Sequence, residues 1–189
     1  MTVKKIGILV GSLRKESFSR KIAKALTAMA PAGFEMEEVK IGDLAMYNQD
    51  LDDEGVPPES WTAFRKTLKR FDAIIFVTPE YNRSVPPVLK NAIDVGSRPY
   101  GKNMWDGKPG AVVSVSPGGL SGFGANHHLR QSLVFLNVPT LQQPEAYIGN
   151  ASTLFDSSGA LVNEGTKEFL RKFMEAFSNW IETNMPKKS

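Results

Sequence analysis

The chain has 189 residues, 41% of them hydrophobic and 23% charged, with a formal net charge of +3 and no cysteine. That length suits one compact domain over 1–189, and the absence of thiols excludes disulfides, thiolate metal centres and a cysteine nucleophile. The charge is mild and the basic runs are short and free of aromatics, so no nucleic-acid partner is expected, and no stretch approaches the roughly 20 apolar residues of a bilayer span.

In chain order, the apolar run 3–10, "VKKIGILV", predicts a first strand. Gly7 breaks it, and no small-residue cleavage site follows at a suitable distance, so it reads as a strand of a cytoplasmic protein rather than a secretion signal. A helix is expected over 19–30. Residues 34–41, "FEMEEVKI", alternate apolar and polar like a half-exposed edge strand. An irregular segment over 41–60 follows, long enough to be functional or mobile. A helix over 58–70 leads to "DAIIFVTP" (72–79), whose β-branched run suits a strand buried on both faces. A helix over 85–95 precedes a similar strand, "GAVVSVSP" (110–117), and then a helix over 125–136. A weaker fifth strand is placed around 140–143, with a possible continuation into "AYI" (146–148). Over 166–183, Phe169, Leu170, Phe173, Phe177, Trp180 and Ile181 recur at helical spacing, a stripe for packing on a sheet. Strands alternating with helices give an α/β, doubly wound parallel sheet with helices on both faces.

In such a sheet ligands bind beyond the carboxyl ends of the strands, where the strand order reverses. Three unusual loops fall there. The first, "GSLRKESFS" (11–19), is hydroxyl-rich and feeds a helix N-terminus, which suits a terminal phosphate. It lacks the glycine spacings of a nucleoside-triphosphate or dinucleotide loop. A plainer alternative is that Ser17 or Ser19 simply caps the helix. The second, "PEYNRS" (79–84), could border a planar heterocycle, or be a proline-stiffened turn. The third, "PGGLSGFG" (117–124), carries four glycines, which admit a flat ligand close to the backbone or merely confer flexibility.

No hydrolytic signature is present. There is no G-x-S-x-G elbow. His127 and His128 are adjacent, so on a helix they point about 100° apart and cannot chelate one metal. The acidic cluster Asp50, Asp52, Asp53, Glu54 lacks the spacing of a calcium loop, so no metal is expected.

Together "GSLRKESFSRKIAKAL", "TPEYNRSVPPVLKNAIDVGSR" and "SPGGLSGFGANHHLRQSLVFLNV" resemble the NAD(P)H-dependent FMN reductase family, in its chromate/quinone reductase branch. The resemblance implies a flavodoxin-like five-stranded sheet in the order 2-1-3-4-5 and non-covalent FMN. By it, Ser12, Arg14, Ser17, Phe18 and Ser19 hold the FMN phosphate. Pro79, Glu80, Tyr81 and Asn82 line the isoalloxazine, and Ser116, Gly118 and Gly119 close its other side. Arg83 departs from the aromatic or small residue expected there. Arg83, Arg98 and Lys102 are candidates to attract an anionic donor or acceptor.

The implied activity moves electrons from NAD(P)H through FMN to quinones, with chromate, other metal oxyanions, azo and nitro compounds as further acceptors, by a ping-pong scheme. No acid–base dyad is needed, because the flavin carries the chemistry. A flavodoxin-type electron carrier is the alternative; such carriers are strongly acidic, and this chain is basic. A homodimer or homotetramer is also implied, with Tyr100, Met104 and Trp105 placed at a subunit boundary.

Overall fold

The computed structural model describes residues 3–185. Five strands form one parallel sheet: β1 (Lys4–Val10), β2 (Phe34–Val39), β3 (Ala73–Thr78), β4 (Gly110–Val115) and β5 (Ala146–Ile148). Their spatial order is β2-β1-β3-β4-β5. Six helices connect or follow them: α1 (Phe18–Ala28), α2 (Gln49–Asp53), α3 (Glu59–Leu68), α4 (Pro87–Gly96), α5 (Phe123–Phe135) and α6 (Glu164–Asn184).

Burial follows the strand sequences. Every residue of β3 and β4 is buried, as their unbroken apolar runs require, whereas β2 alternates at the sheet edge. Register is set by pairs such as Ile8 with Ile75 and Ile75 with Ala111. On one face α1 and α6 cover the sheet, with Ile22, Leu26, Leu170, Phe173 and Phe177 inside. On the other, α3, α4 and α5 bury Trp61, Leu68, Leu89 and Leu129. Each such large side chain contributes about 1.5–3 kcal/mol of burial. The strand order reverses between β1 and β3, and there the amide of Gly11 donates to the carbonyl of Val77 at 2.8 Å.

Three expectations need correction. The fifth strand is Ala146–Ile148; Thr140 makes only a single bridge to Gly110, and Pro144 has no amide to give to a ladder. Trp105 is fully buried within its own chain, its indole Nε1 donating to the carbonyl of Ile93 at 2.9 Å, so it does not reach a subunit boundary. Met104 is half-buried against the same core, while Tyr100 is exposed. The long segment over 41–60 is tied down. Asn91 Oδ1 accepts from the amide of Tyr47, its Nδ2 donates to the carbonyls of Leu44 and Ala45, and Trp61 Nε1 also donates to Ala45. Arg65 grips Asp52 through two bonds of 2.7 Å and donates from Nε to the carbonyl of Val95. Among the described residues no helix is long and apolar enough to cross a membrane.

Candidate active site

The turn after β1 is shaped by serines and by one arginine outside it. Ser17 stays extended, and its hydroxyl oxygen accepts from the amide of Arg20 at 3.2 Å, capping α1. The buried Ser12 hydroxyl accepts from the amide of Arg14 at 3.4 Å. Arg20 reaches back to donate to the carbonyls of Ser12 (3.2 Å) and Arg14 (3.4 Å), while its Nε meets Glu38 at 3.2 Å. The turn is thereby held from outside, leaving its inner side to amides and hydroxyls. The amides of Phe18 and Ser19, in the first turn of α1, have no acceptor among the described residues. Helix-end amides of this kind, with the dipole behind them, attract an anion. Ser19 is buried at the same place, and the Phe18 ring stacks on Phe155 with centroids 6.1 Å apart. Arg14 is exposed and lines a recess of about 440 Å³ with Gly11, Leu13, Tyr81, Pro86, Pro87 and Val88.

The second turn leaves β3 at Thr78. Tyr81 and Ser84 exchange backbone hydrogen bonds of 3.0 and 2.9 Å, and the residues between them, Asn82 (φ 51°) and Arg83 (φ 66°), are both left-handed. This is the two-residue type I′ turn, in which asparagine is at ease and arginine is not. Glu80 turns away from the rim: its Oε2 accepts from the amide of Ala125, at the start of α5, at 3.0 Å, and its Oε1 lies 3.6 Å from Arg83 Nη1. A β-carbon on Gly124 would come within 2.7 Å of the Arg83 carbonyl and 3.0 Å of Glu80 Oε2. The second and third turns are therefore clasped together, and the backbone of 79–82 faces the rim.

The third turn follows β4. Ser116 Oγ accepts from the amide of Gly118 at 3.1 Å, and Ser114 Oγ donates to the carbonyl of Ser121 at 2.8 Å. Behind it the buried Asn126 donates to Ser114 Oγ and the carbonyl of Ala146, both at 3.3 Å, and accepts from Arg130 Nε at 2.9 Å. Gly122 (φ 73°) makes the left-handed step into α5. Gly118 and Gly119 are exposed, and a β-carbon on Gly119 would meet nothing within 4 Å. That side is open to a flat ligand.

The structure brings Ser12, Arg14, Ser17, Phe18 and Ser19, Pro79 to Arg83, and Ser116, Gly118 and Gly119 to one rim of the sheet. It does not bring Arg98 and Lys102 there within one chain. They follow the far end of α4, about 15 Å along that helix from Pro87. Arg98 is engaged by Ser97 Oγ (3.1 Å) and Tyr100 OH (3.2 Å), and Lys102 is exposed in a turn. Sequence reasoning missed Asn126 and Arg130, which shape the third turn from behind, and it did not assign Arg20 its hold on the first turn or Gly124 its close approach to Arg83 and Glu80. Arg20 had a visible signal, since it stands three residues after the Ser17 cap.

On the outer side of the third turn His127 Nε2 lies 2.9 Å from Tyr147 OH, and the exposed Phe123 ring stands 4.2 Å from His127. Burial, assisted by a hydrogen bond to Glu145, pushes the Tyr147 hydroxyl up to about 12. His128 Nδ1 meets Ser84 Oγ at 3.0 Å. Among the described residues no cluster of three or more His, Asp or Glu side chains could hold a metal.

A phosphate-sized anion site at a helix N-terminus, beside an open glycine turn at the switch of a 2-1-3-4-5 parallel sheet, defines a flavodoxin-like protein that binds a flavin mononucleotide. The donor set fits FMN on its own chemistry: amides and hydroxyls for the phosphate and an open backbone edge for the ring, with the Glu80 carboxylate engaged by the amide of Ala125. A family profile described as NADPH-dependent FMN reductase matches residues 4–153, and the chain belongs to that family. It is 58% identical over 179 residues to a quinone reductase of Pseudomonas putida, covering 95% of each chain. It is 42% identical to a 2-hydroxy-1,4-benzoquinone reductase of a Burkholderia species, covering 94% of this chain and 96% of that one. Among solved structures it resembles FerB, a flavoenzyme NAD(P)H:(acceptor) oxidoreductase from Paracoccus denitrificans, with a TM-score of 0.89 and 40% identity over 97% of this chain and 100% of that one. The protein is an NAD(P)H-dependent oxidoreductase that uses FMN.

Proposed function

We propose that the protein passes electrons from NAD(P)H, through FMN held by the three turns, to quinones. The observation that carries this reading is the convergence, at the β1/β3 switch, of the partnerless amides of Phe18 and Ser19 with the open side of Gly119. Ser12, Ser17 and Ser19 donate to the phosphate, and Arg14 adds a charge-assisted bond. The backbone of Pro79–Asn82 and of Ser116–Gly119 would hold the ring. When bound, FMN supplies hydride acceptance from the nicotinamide and release of the electrons to the acceptor. The chain adds an apolar wall beside it, Leu13, Tyr81 and Pro86, against which an aromatic acceptor can lie.

Quinones are favoured because similar proteins are named for reducing them and because that wall is apolar. Chromate, other metal oxyanions, azo and nitro compounds are further acceptors that an open flavin side admits. One open side serving donor and acceptor in turn predicts ping-pong kinetics. The exposed Leu13, Tyr81, Leu120 and Phe123 around the rim suit cover by a second copy, in a homodimer or homotetramer. A cytoplasmic location completes the proposal.

The test is anaerobic. FMN-loaded protein mixed with NADPH or NADH bleaches within the mixing experiment and regains its colour on adding a benzoquinone. Bleaching by neither donor assigns the protein to electron carriage instead. Double-reciprocal plots at several quinone concentrations run parallel for ping-pong turnover and intersect otherwise.

A further inference from the structure

A sizeable cavity lies beside the phosphate turn, not in it. It is a groove of about 560 Å³ between α1, the loop over 158–161 and the start of α6. Five cationic side chains line it, Lys15, Arg20, Lys21, Lys24 and Lys167, against one anion, Glu16. The chain as a whole carries only +3, so this is a concentration of charge and not a share of a general excess. Three of the five have partial neutralisation: Arg20 by Glu38, Lys21 by Glu16 at 3.4 Å, and Lys167 by Glu164 at 2.7 Å. Lys15 and Lys24 form no ion pair among the described residues. The Lys21 ammonium is held over the rings of Phe18 and Phe155, 5.7 Å from each centroid, which fixes it in the groove wall.

The groove is continuous with the turn, because Ser17, the α1 cap, lines it as well. At that end, beside Ser17, its charge and the α1 dipole act in the same direction on an incoming anion. Yet Lys24 stands two turns along α1 and Lys167 on a different helix, beyond the residues that hold the phosphate.

We propose that this groove is an electrostatic approach for the phosphate end of FMN: it speeds loading of the apoprotein without belonging to the final bonding set. The inference rests on the flavin reading above. A charged cleft raises the arrival rate of an oppositely charged ligand, and that gain vanishes as salt screens it. Contacts made in the bound state act instead on dissociation.

The experiment is stopped-flow mixing of apoprotein with FMN, followed by quenching of flavin fluorescence, in the wild type and in the double variant K24E/K167E. A second double variant, K66E/K69E, makes the same change in net charge with exposed residues at the opposite face of the sheet. At low ionic strength K24E/K167E lowers the association rate on the order of 3- to 10-fold and leaves dissociation unchanged. The difference closes near ~1 M salt, and riboflavin, which lacks the phosphate, shows no difference. K66E/K69E stays within about twofold of wild type. Equal association rates in the two variants, or a loss confined to dissociation, overturn the proposal while leaving FMN binding intact. A wild-type apoprotein that quenches no FMN fluorescence overturns the flavin reading itself, and the groove proposal with it.

Discussion

Glu80 illustrates how one side chain can tie two turns together. Read along the chain, it sits in "PEYN" and was placed against the ring; in the fold its carboxylate accepts from the amide of Ala125 and joins the second turn to the third. Replacing Glu80 by alanine removes an N-terminal acceptor of α5, a loss of about 0.5–2 kcal/mol in stability. FMN affinity falls with it, because two sides of the rim lose their common anchor. Glutamine retains an acceptor oxygen, so Glu80→Gln lies between wild type and Glu80→Ala in both thermal denaturation and FMN titration. Equal FMN affinity in all three proteins would remove Glu80 from the clasp. Tyr147 gives a pH prediction at the same scale. Burial and Glu145 raise its hydroxyl to about 12, above the ordinary value of 10.0. The neutral form is thus favoured in the folded state. Its contribution to stability is complete below about pH 10 and is lost as pH rises from there through about 12. The difference in denaturation midpoint between wild type and Tyr147→Phe should be constant from neutral pH to about 10 and change only above it, as the wild type loses this contribution; a difference that varies with pH around neutrality would contradict the assignment.

Helices and strands were more legible than the links between them. The buried runs of β1, β3 and β4 stand out because both faces of a central parallel strand must be apolar. The α6 stripe is equally plain, since Leu170, Phe173, Phe177 and Ile181 repeat on one side of a long helix. β5 was less legible because three residues are too few for a period, and the bridge at Thr140 lies nearby. Nor does any local pattern announce that Asn91, in the "LKNAID" run, spends its amide on Leu44, Ala45 and Tyr47. Those contacts span more than forty positions, and they turn a segment of mobile appearance into a fixed one. The Asp52–Arg65 pair completes this clamp, with side chains only 3% and 11% exposed. Breaking it by Asp52→Asn leaves the guanidinium under-compensated and costs about 3 kcal/mol or more. Chemical denaturation checks the cost. FMN affinity measured under folding conditions should remain near wild type, since the clamp lies on α2 and α3, away from the three turns. A large loss of FMN affinity with unchanged stability would place the acidic loop in the site.

At the scale of the molecule, the site exists because the strand order reverses between β1 and β3. That reversal spreads α1 and α4 to opposite faces and leaves a gap above Gly11 and Val77. The general rule located three loops from sequence because each follows a strand that alternation alone identified. The supports behind the third of them, Asn126 and Arg130, were hidden, because their partners are carbonyls and side chains placed only by folding. The most direct test of the whole account is a crystal structure of the FMN-loaded protein. The phosphate should lie within hydrogen-bonding distance of Ser12, Ser17 and the amides of Phe18 and Ser19, with the ring between 79–82 and 116–119. Flavin bound elsewhere, or those amides turned to protein acceptors in its presence, would contradict it.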